Sequence, residues 1–458
     1  MAITTGTEAP ELAGHPLLGS MSDLKNDSLG TFLRARREHG DVVRIVAGPP
    51  GIRATVYGVF SAEGAQQVLA GESANFRKDN AFYQEIRESF GNGLLTSQDE
   101  DYLRQRRLVQ PLFTRRRVDG YAAAIAAEVT TLTEEWRDAG AEPVDVLDEM
   151  ARLALRAVAR ILFGTDVDAA VEIVGSAFPE LGAYVLRRGY SPLNVPRSWP
   201  TPANRRAAAV HRALYEVCDR IIAGRRSSGG ASPGDGQDLL TLLVEAESAE
   251  DGSFDATELR EQVLVFLLAG HETTATSLGF ALHLLALHPA EQKRAHEEVD
   301  RVLGGRTPGA GDLDALPYVT QVLKEAMRLF PAAAVIGRRA VAETRIGGVT
   351  VPAGADVIVA PWVTHRHPDY WEDAERFDPD RFTPEAEAAR PRYAWFPFGG
   401  GPRACIGQHF SMLESVIALA MILQRYEFEA VDTEVPVAPA ITLQAMGPAR
   451  CRLKPRQA

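Results

Sequence analysis

The stretch "FPFGGGPRACIG", Phe396–Gly407, decides how the rest of this chain is read. It carries Cys405, one of only three cysteines, behind three glycines and a proline, and leads into the apolar run "IGQHFSMLESVIALAMIL". A buried structural cysteine needs no such approach, and a disulfide needs a partner. "GGGPRA" (399–404) formally fits the dinucleotide pattern G-x-G-x-x-A. However, Pro397 makes "RYAWFPF" a poor strand and Pro402 sits inside the would-be phosphate loop, so that reading fails. What stays is a glycine-rich turn that delivers a cysteine near a helix N-terminus. There the macrodipole and unpaired backbone N–H groups stabilise a thiolate, which serves as a nucleophile or a metal ligand. A protease-type nucleophile wants a recruited histidine, His409 or a distant one. The glycines favour a backbone lying flat against something large.

The chain has 458 residues, of which 45% are hydrophobic and 24% charged, the balance of a soluble globular protein with a substantial core. That length admits about three average domains or one large fold. Its net charge of −12 disfavours nucleic acid as a partner. The start, "MAITTGTEAPELAGHPLLGS", lacks a basic region followed by an apolar run, so neither a signal peptide nor a membrane anchor is expected. Cys218, Cys405 and Cys451 are too scattered for a disulfide framework or a four-cysteine zinc site, and a cytoplasmic location follows most simply.

No solenoid or propeller repeat is visible. "TFLRARREHG" reads as a helix, "DVVRIVAG" and "RATVYGVF" as a hairpin, and residues from about 100 to 330 as mostly helical. "SPLNVPRSWPTPANRR" (191–206) breaks that pattern, and "RRSSGGASPGDGQD" (225–238) is a polar loop. After residue 335, "TRIGGVTVPAGADVIVAPW" reads as strand, turn, strand. The longest helix is expected from Asp255 to His288, with Asp255 and Glu258 as a capping box and Pro289 as its stop. It would span roughly 50 Å. Gly270, His271 and Glu272 interrupt its apolar run, so it reads as a buried core helix rather than a membrane span.

Three further segments carry chemistry. "AGHETT" (269–274) sets an acid and two threonines inside that helix, where Thr273 can bond back to the Ala269 carbonyl and loosen the helix. Position 275 is Ala, so the paired histidines of a zinc protease are missing. "KEAMRLFP" (324–331) places Glu325 and Arg328 three apart on one helix face, a spacing common to solvated surface pairs. "RFDPDRF" (376–382) is a proline-punctuated coil with Arg381.

These four segments, in this order and at these separations, resemble the cytochrome P450 family of haem-thiolate monooxygenases. The resemblance covers nearly the whole chain, from "HPLLG" to the terminal strands. It implies a mainly α fold with small β-sheets (α+β), a long central helix over a buried haem, and one domain over 1–458. The β-rich portion would lie at about 40–60 and 335–395, and the helical portion at about 100–330 and 405–425. Cys405 would be the axial ligand of the iron of haem b, with Phe398 packed near the sulfur. Glu272 and Thr273 would form the distal proton relay, and small Ala269 and Gly270 would leave room over the haem face. Glu325, Arg328 and Arg381 would form a buried structural network. "YLRQR" matches the family's tryptophan-then-arginine motif with Tyr102 in the tryptophan's place. That implies Arg106, Arg338 and Arg403 as propionate contacts, with one hydrogen bond from the Tyr102 phenol; Arg339 competes with Arg338 within "GRRAV".

The resemblance further implies O2, a hydrophobic small-molecule substrate, and electrons from NAD(P)H through a separate ferredoxin and ferredoxin reductase, since no fused reductase is expected. No nucleic-acid or membrane partner is expected. Arg104, Arg107, Arg115, Arg116 and Arg117 suggest a docking patch for an acidic ferredoxin, or else ordinary solvated helix faces. Pocket walls would come from about 76–96, 178–202, Phe266, Leu94, Ala333, Val335 and Met446, with "LNVPRSWP" as a lid. Hydroxylation or epoxidation in secondary metabolism leads. Oxidative ring closure or coupling at the same haem, a non-catalytic haem-binding protein and a cysteine hydrolase stand as alternatives.

Overall fold

Asp255 caps the longest helix. Its carboxylate accepts from the backbone N–H groups of Thr257 and Glu258, and Glu258 accepts in turn from the Asp255 N–H, forming the expected capping box. The helix runs Ala256–Leu287 and ends at His288, because Pro289 opens the next helix and disfavours helical backbone before it. It is long and apolar enough to cross a membrane, yet it lies mostly buried inside the protein. Its most extensive packing is against the helix Val146–Phe163. Pro317–Leu329, Pro202–Ser227 and Gln408–Arg425 also lie against it.

The computed structural model describes residues 7–139, 142–164, 168–189, 191, 194–227, 239–247 and 254–456. The 228–238 part of the polar loop and Leu193 of the expected lid lie outside the described residues. Ahead of that loop the helix Pro202–Ser227 still includes Arg225, expected in coil. Buried Arg225 donates to the Phe163 carbonyl at 2.9 Å and the Thr241 hydroxyl at 2.6 Å, and these contacts hold the last turn.

The strands gather into small sheets around the helices, the mainly α architecture that was expected. The largest has the order Val42–Ala47, Ala54–Val59, Asp356–Val359, Ile336–Ala340, Phe76–Arg77. Its first two strands are the expected hairpin, with Val42 opposite Val59. Ala54–Val59 then pairs in parallel with Asp356–Val359, which ties the start of the chain to its last third. Thr344–Ile346 turns back on Val349–Val351 through Gly347 and Gly348, whose φ values of 56° and 83° suit a two-residue hairpin turn. A helix that periodicity did not indicate, Ala81–Phe90, is capped by the Asn80 side chain, which accepts from the Tyr83 N–H at 3.0 Å.

Candidate functional site

Cys405 is both open and deep. Its surface is exposed, yet the surrounding protein desolvates the thiol and pushes its pKa up. Both hold for a side chain that opens onto an internal cavity. The Gly407 N–H bonds to the sulfur, and Arg106 and Lys78 favour the thiolate electrostatically. The loop is held by the Cys405 N–H on the Phe398 carbonyl at 2.9 Å. Two of the glycines admit neighbouring protein. A Cβ on Gly401 would stand 2.0 Å from the Leu69 carbonyl oxygen, and one on Gly400 would stand 2.4 Å from the Tyr393 ring. They let the loop press on neighbouring protein, and Gly401 also needs its φ of +63°.

Four cations converge beside this cysteine. Strand alternation turns Arg338 inward to 4% exposure and Arg339 outward to pair with Asp356, which resolves the ambiguity within "RR". Arg403 lies 3.5 Å from the centroid of the Tyr102 ring, and its Nη2 donates to the Ser97 carbonyl at 2.6 Å while its buried Nη1 has no partner. Arg106 donates to the Ala404 carbonyl at 3.1 Å and to the Tyr102 hydroxyl at 2.8 Å. Lys78, which sequence reasoning did not single out, is the fourth. It donates to the Leu95 carbonyl at 3.0 Å, and burial first, then Arg338 and Arg403, hold its pKa well down. Burial likewise lowers Arg403 to about 10. Among the described residues none of the four pairs with a carboxylate. A buried to half-buried basic cluster without a carboxylate partner beside this thiol is the donor set that a haem with its two carboxylates would satisfy. The expectation for Tyr102 is corrected. Its single proton goes to the Pro402 carbonyl at 2.7 Å, so the phenol ties its helix, Asp99–Val109, to the cysteine loop and has no proton for a propionate.

On the central helix Ala269 is exposed in the middle of buried sequence. Thr273 is half-buried and donates to the Ala269 carbonyl at 2.8 Å, the back-bond its spacing predicts. Glu272 accepts from Thr442 and from Gln444, and burial pushes its carboxyl up to about 7. Gly270 does not serve the role expected of it. A Cβ there would stand 2.8 Å from Val158 Cγ2, so the glycine admits the helix Val146–Phe163 and opens no room over a haem.

Behind the cysteine loop Glu325 and Arg328 are fully buried, unlike the solvated pairs that share their spacing. All five guanidinium N–H groups of Arg328 are bonded: two to Glu325, and one each to the carbonyls of His365, Ala374 and Arg376. Arg381 Nε stands 3.5 Å from Glu325 Oε1 and completes the network.

Of the expected pocket walls, Phe266 and Leu94 are buried, and Phe266 stacks on Phe113 at 5.6 Å. Ala333 and Val335 are half-buried, and Val335 packs on the amino-terminal core. Met446 is 66% exposed, so the expectation that it lines an apolar pocket is corrected; its neighbours Thr442 and Leu443 turn inward instead. In the described part of the expected lid, Arg197 reaches Glu85 and Ser89 of the helix Ala81–Phe90, and Arg188 joins it on Glu85. Arg104 is bound to Glu258 and Asp101, which leaves Arg107, Arg115 and Arg116 as the exposed part of the arginine patch.

The chain matches the family model Cytochrome P450 over residues 10–451. It is 35% identical to cyclooctat-9-en-7-ol 5-monooxygenase of Streptomyces melanosporofaciens over 93% of this chain and 90% of that protein. It is 33% identical to pentalenene oxygenase of Streptomyces avermitilis over 92% of each. The crystal structure of the cytochrome P450DA haem domain superposes with a TM-score of 0.87 at 27% identity, covering 99% of this chain and 98% of that one. A match through nearly the whole chain, with relatives above 30% identity along most of it, leads to one conclusion: this chain is a monooxygenase of the cytochrome P450 family.

Proposed function

We propose that this chain inserts one oxygen atom from O2 into a cyclic terpenoid, by hydroxylation or epoxidation, as a step of secondary metabolism in the cytoplasm. As a cytochrome P450 it uses a haem-thiolate cofactor, a hydrophobic substrate and redox partners. The observation that carries the reading is the Cys405 thiol beside four basic side chains without a carboxylate partner among the described residues, Lys78 and Arg338 buried and Arg106 and Arg403 half-buried. Haem b would be held there by the Cys405 sulfur and by Arg106, Arg338, Arg403 and Lys78 on its carboxylates, and would supply the activation of dioxygen. Ala269 and Phe266 would exclude water from the space beside it. Glu272 holds a proton near neutral pH, and Thr273 passes protons inward from its hydroxyl. Phe398 packs beside the sulfur, while Glu325, Arg328 and Arg381 hold the loop's support rigid. The relatives named for cyclooctat-9-en-7-ol and pentalenene support a cyclic terpenoid. Exposed Arg107, Arg115 and Arg116 support an acidic ferredoxin, itself reduced by a separate reductase, as the electron donor.

The test is titration of the purified holoprotein with cyclic terpenes, macrolides and fatty acids, following the spin-state shift of the Soret band. Turnover with a surrogate ferredoxin and reductase and determination of the product structure complete it. A shift and an oxygenated product from a cyclic terpene alone is expected. A shift confined to fatty acids or macrolides overturns the substrate class, and tight binding without any product overturns turnover.

A further inference from the structure

Adjacent residues of an α-helix point about 100° apart, so Glu272 and Thr273 do not face each other by default. In this structure the Glu272 carboxylate is held by a segment 170 residues further along. Thr442 Oγ1 donates to Oε2, and Gln444 Nε2 donates to Oε1 at 3.0 Å, so each carboxylate oxygen has a donor. The two donors sit at alternate positions of one edge, Thr442 just before and Gln444 within the strand Leu443–Ala445, and so share a face. That strand pairs with Val437–Pro439, and the Leu443 N–H is pinned to the Ala332 carbonyl at 2.7 Å. Ile441, next to Thr442, reaches the helix Asp168–Gly189, with its Cδ1 3.9 Å from where a Cβ on Gly182 would stand. Glu272 has no charged partner among the described residues. The neighbouring His271 bonds the Leu267 carbonyl, meets the Phe178 ring edge-on, and burial holds it down at about 4.

We propose that Thr442 and Gln444 are positioning residues that clamp the Glu272 carboxylate away from Thr273, so that its release from the hairpin gates proton delivery. In the clamped state the Glu272 carboxylate faces two donors and takes its proton from a hydronium ion of the solvent, which leaves as water. On release the Glu272 O–H bond breaks and one forms at Thr273 Oγ1, whose own O–H bond breaks as its proton passes to a water molecule in the space beside Ala269. The carboxylate returns to the clamp. Because Ile441 lies beside Gly182 of the helix Asp168–Gly189, a ligand that moves that helix also moves the clamp. The inference rests on the reading of Glu272 and Thr273 as the proton route.

The experiment uses the holoprotein and four variants: Glu272→Gln, Thr442→Val, Thr442→Val with Gln444→Leu, and Thr442→Ser. The carbonmonoxy spectrum first confirms an intact thiolate site in each. Infrared titration then follows the protonated-carboxyl band that Glu272→Gln removes. Loss of both donors, which favour the ionised form, is expected to move its midpoint up by about one to two pH units. Product formed per NAD(P)H is expected to fall several-fold as electrons are diverted to peroxide, and Thr442→Ser should restore both readouts. Should the double variant lose its fold, the near-isosteric Thr442→Val alone is expected to give the same shift in smaller measure. An unmoved midpoint and unchanged coupling in Thr442→Val overturn the clamp, even if Glu272→Gln uncouples. Full coupling in Glu272→Gln overturns the proton-route reading itself.

Discussion

The guanidinium of Arg403 lies 3.5 Å from the centre of the Tyr102 ring, while the Tyr102 hydroxyl donates to the carbonyl of Pro402. One aromatic side chain therefore grips the residues on both sides of one peptide bond in the cysteine loop, and carries Arg106 on the same hydroxyl.

Tyr102→Phe keeps the ring under Arg403 and deletes the bond to Pro402. A cost of about 1–2 kcal/mol is expected, with a faster loss of haem to an acceptor protein. Thermal unfolding and haem-transfer kinetics check it, and an unchanged rate of haem loss would show that the phenol does not brace the loop.

Arg328→Ala leaves Glu325 buried with its main counter-charge gone. The expected loss is about 3–5 kcal/mol, enough to remove most folded protein at ordinary growth temperature. Arg328→Lys keeps the charge but offers three donors in place of five bonds, so it should recover only part of the stability, as read from denaturant midpoints.

Glu272 makes stability depend on pH. Burial raises its carboxyl from 4.5 to about 7, so the folded state binds this proton more tightly than the unfolded one. The contribution is fully present below pH 4.5 and is lost as pH rises through about 7, up to about 3 kcal/mol. Glu272→Gln should therefore be more stable than the parent at pH 8 and equal to it near pH 4.5. Equal melting temperatures at pH 8 would contradict this.

Glu85 joins three segments through Arg188 and Arg197, and the Arg188 and Glu85 side chains are only 11% and 14% exposed. Glu85→Gln should speed both entry and exit of a substrate severalfold without altering the resting haem spectrum. Stopped-flow recording of the Soret shift reads both rates.

Reversal of Arg107, Arg115 and Arg116 to glutamate should slow the first electron transfer from an acidic ferredoxin, more at low salt than at high. The ferric spectrum should be unaffected, and rates independent of these charges would remove the patch from the docking surface.

The features legible in advance share a short range. The Asp255–Glu258 box, the stop at Pro289 and the Thr273 bond to Ala269 each depend on residues within four positions of one another. Backbone geometry alone sets their distance, so the sequence by itself determined them, and the order of its motifs determined the family. Tertiary structure decided what a helix phase or strand register points at. Gly270 meets Val158, Arg104 meets Glu258 and Glu272 meets Thr442 because particular faces pack together, and one step of rotation would exchange every partner. Lys78 shows the same limit. Nothing in "FRKDN" sets it apart from a solvated lysine until the sheet and the cysteine loop close around it, and burial without a counter-charge then gives it a role.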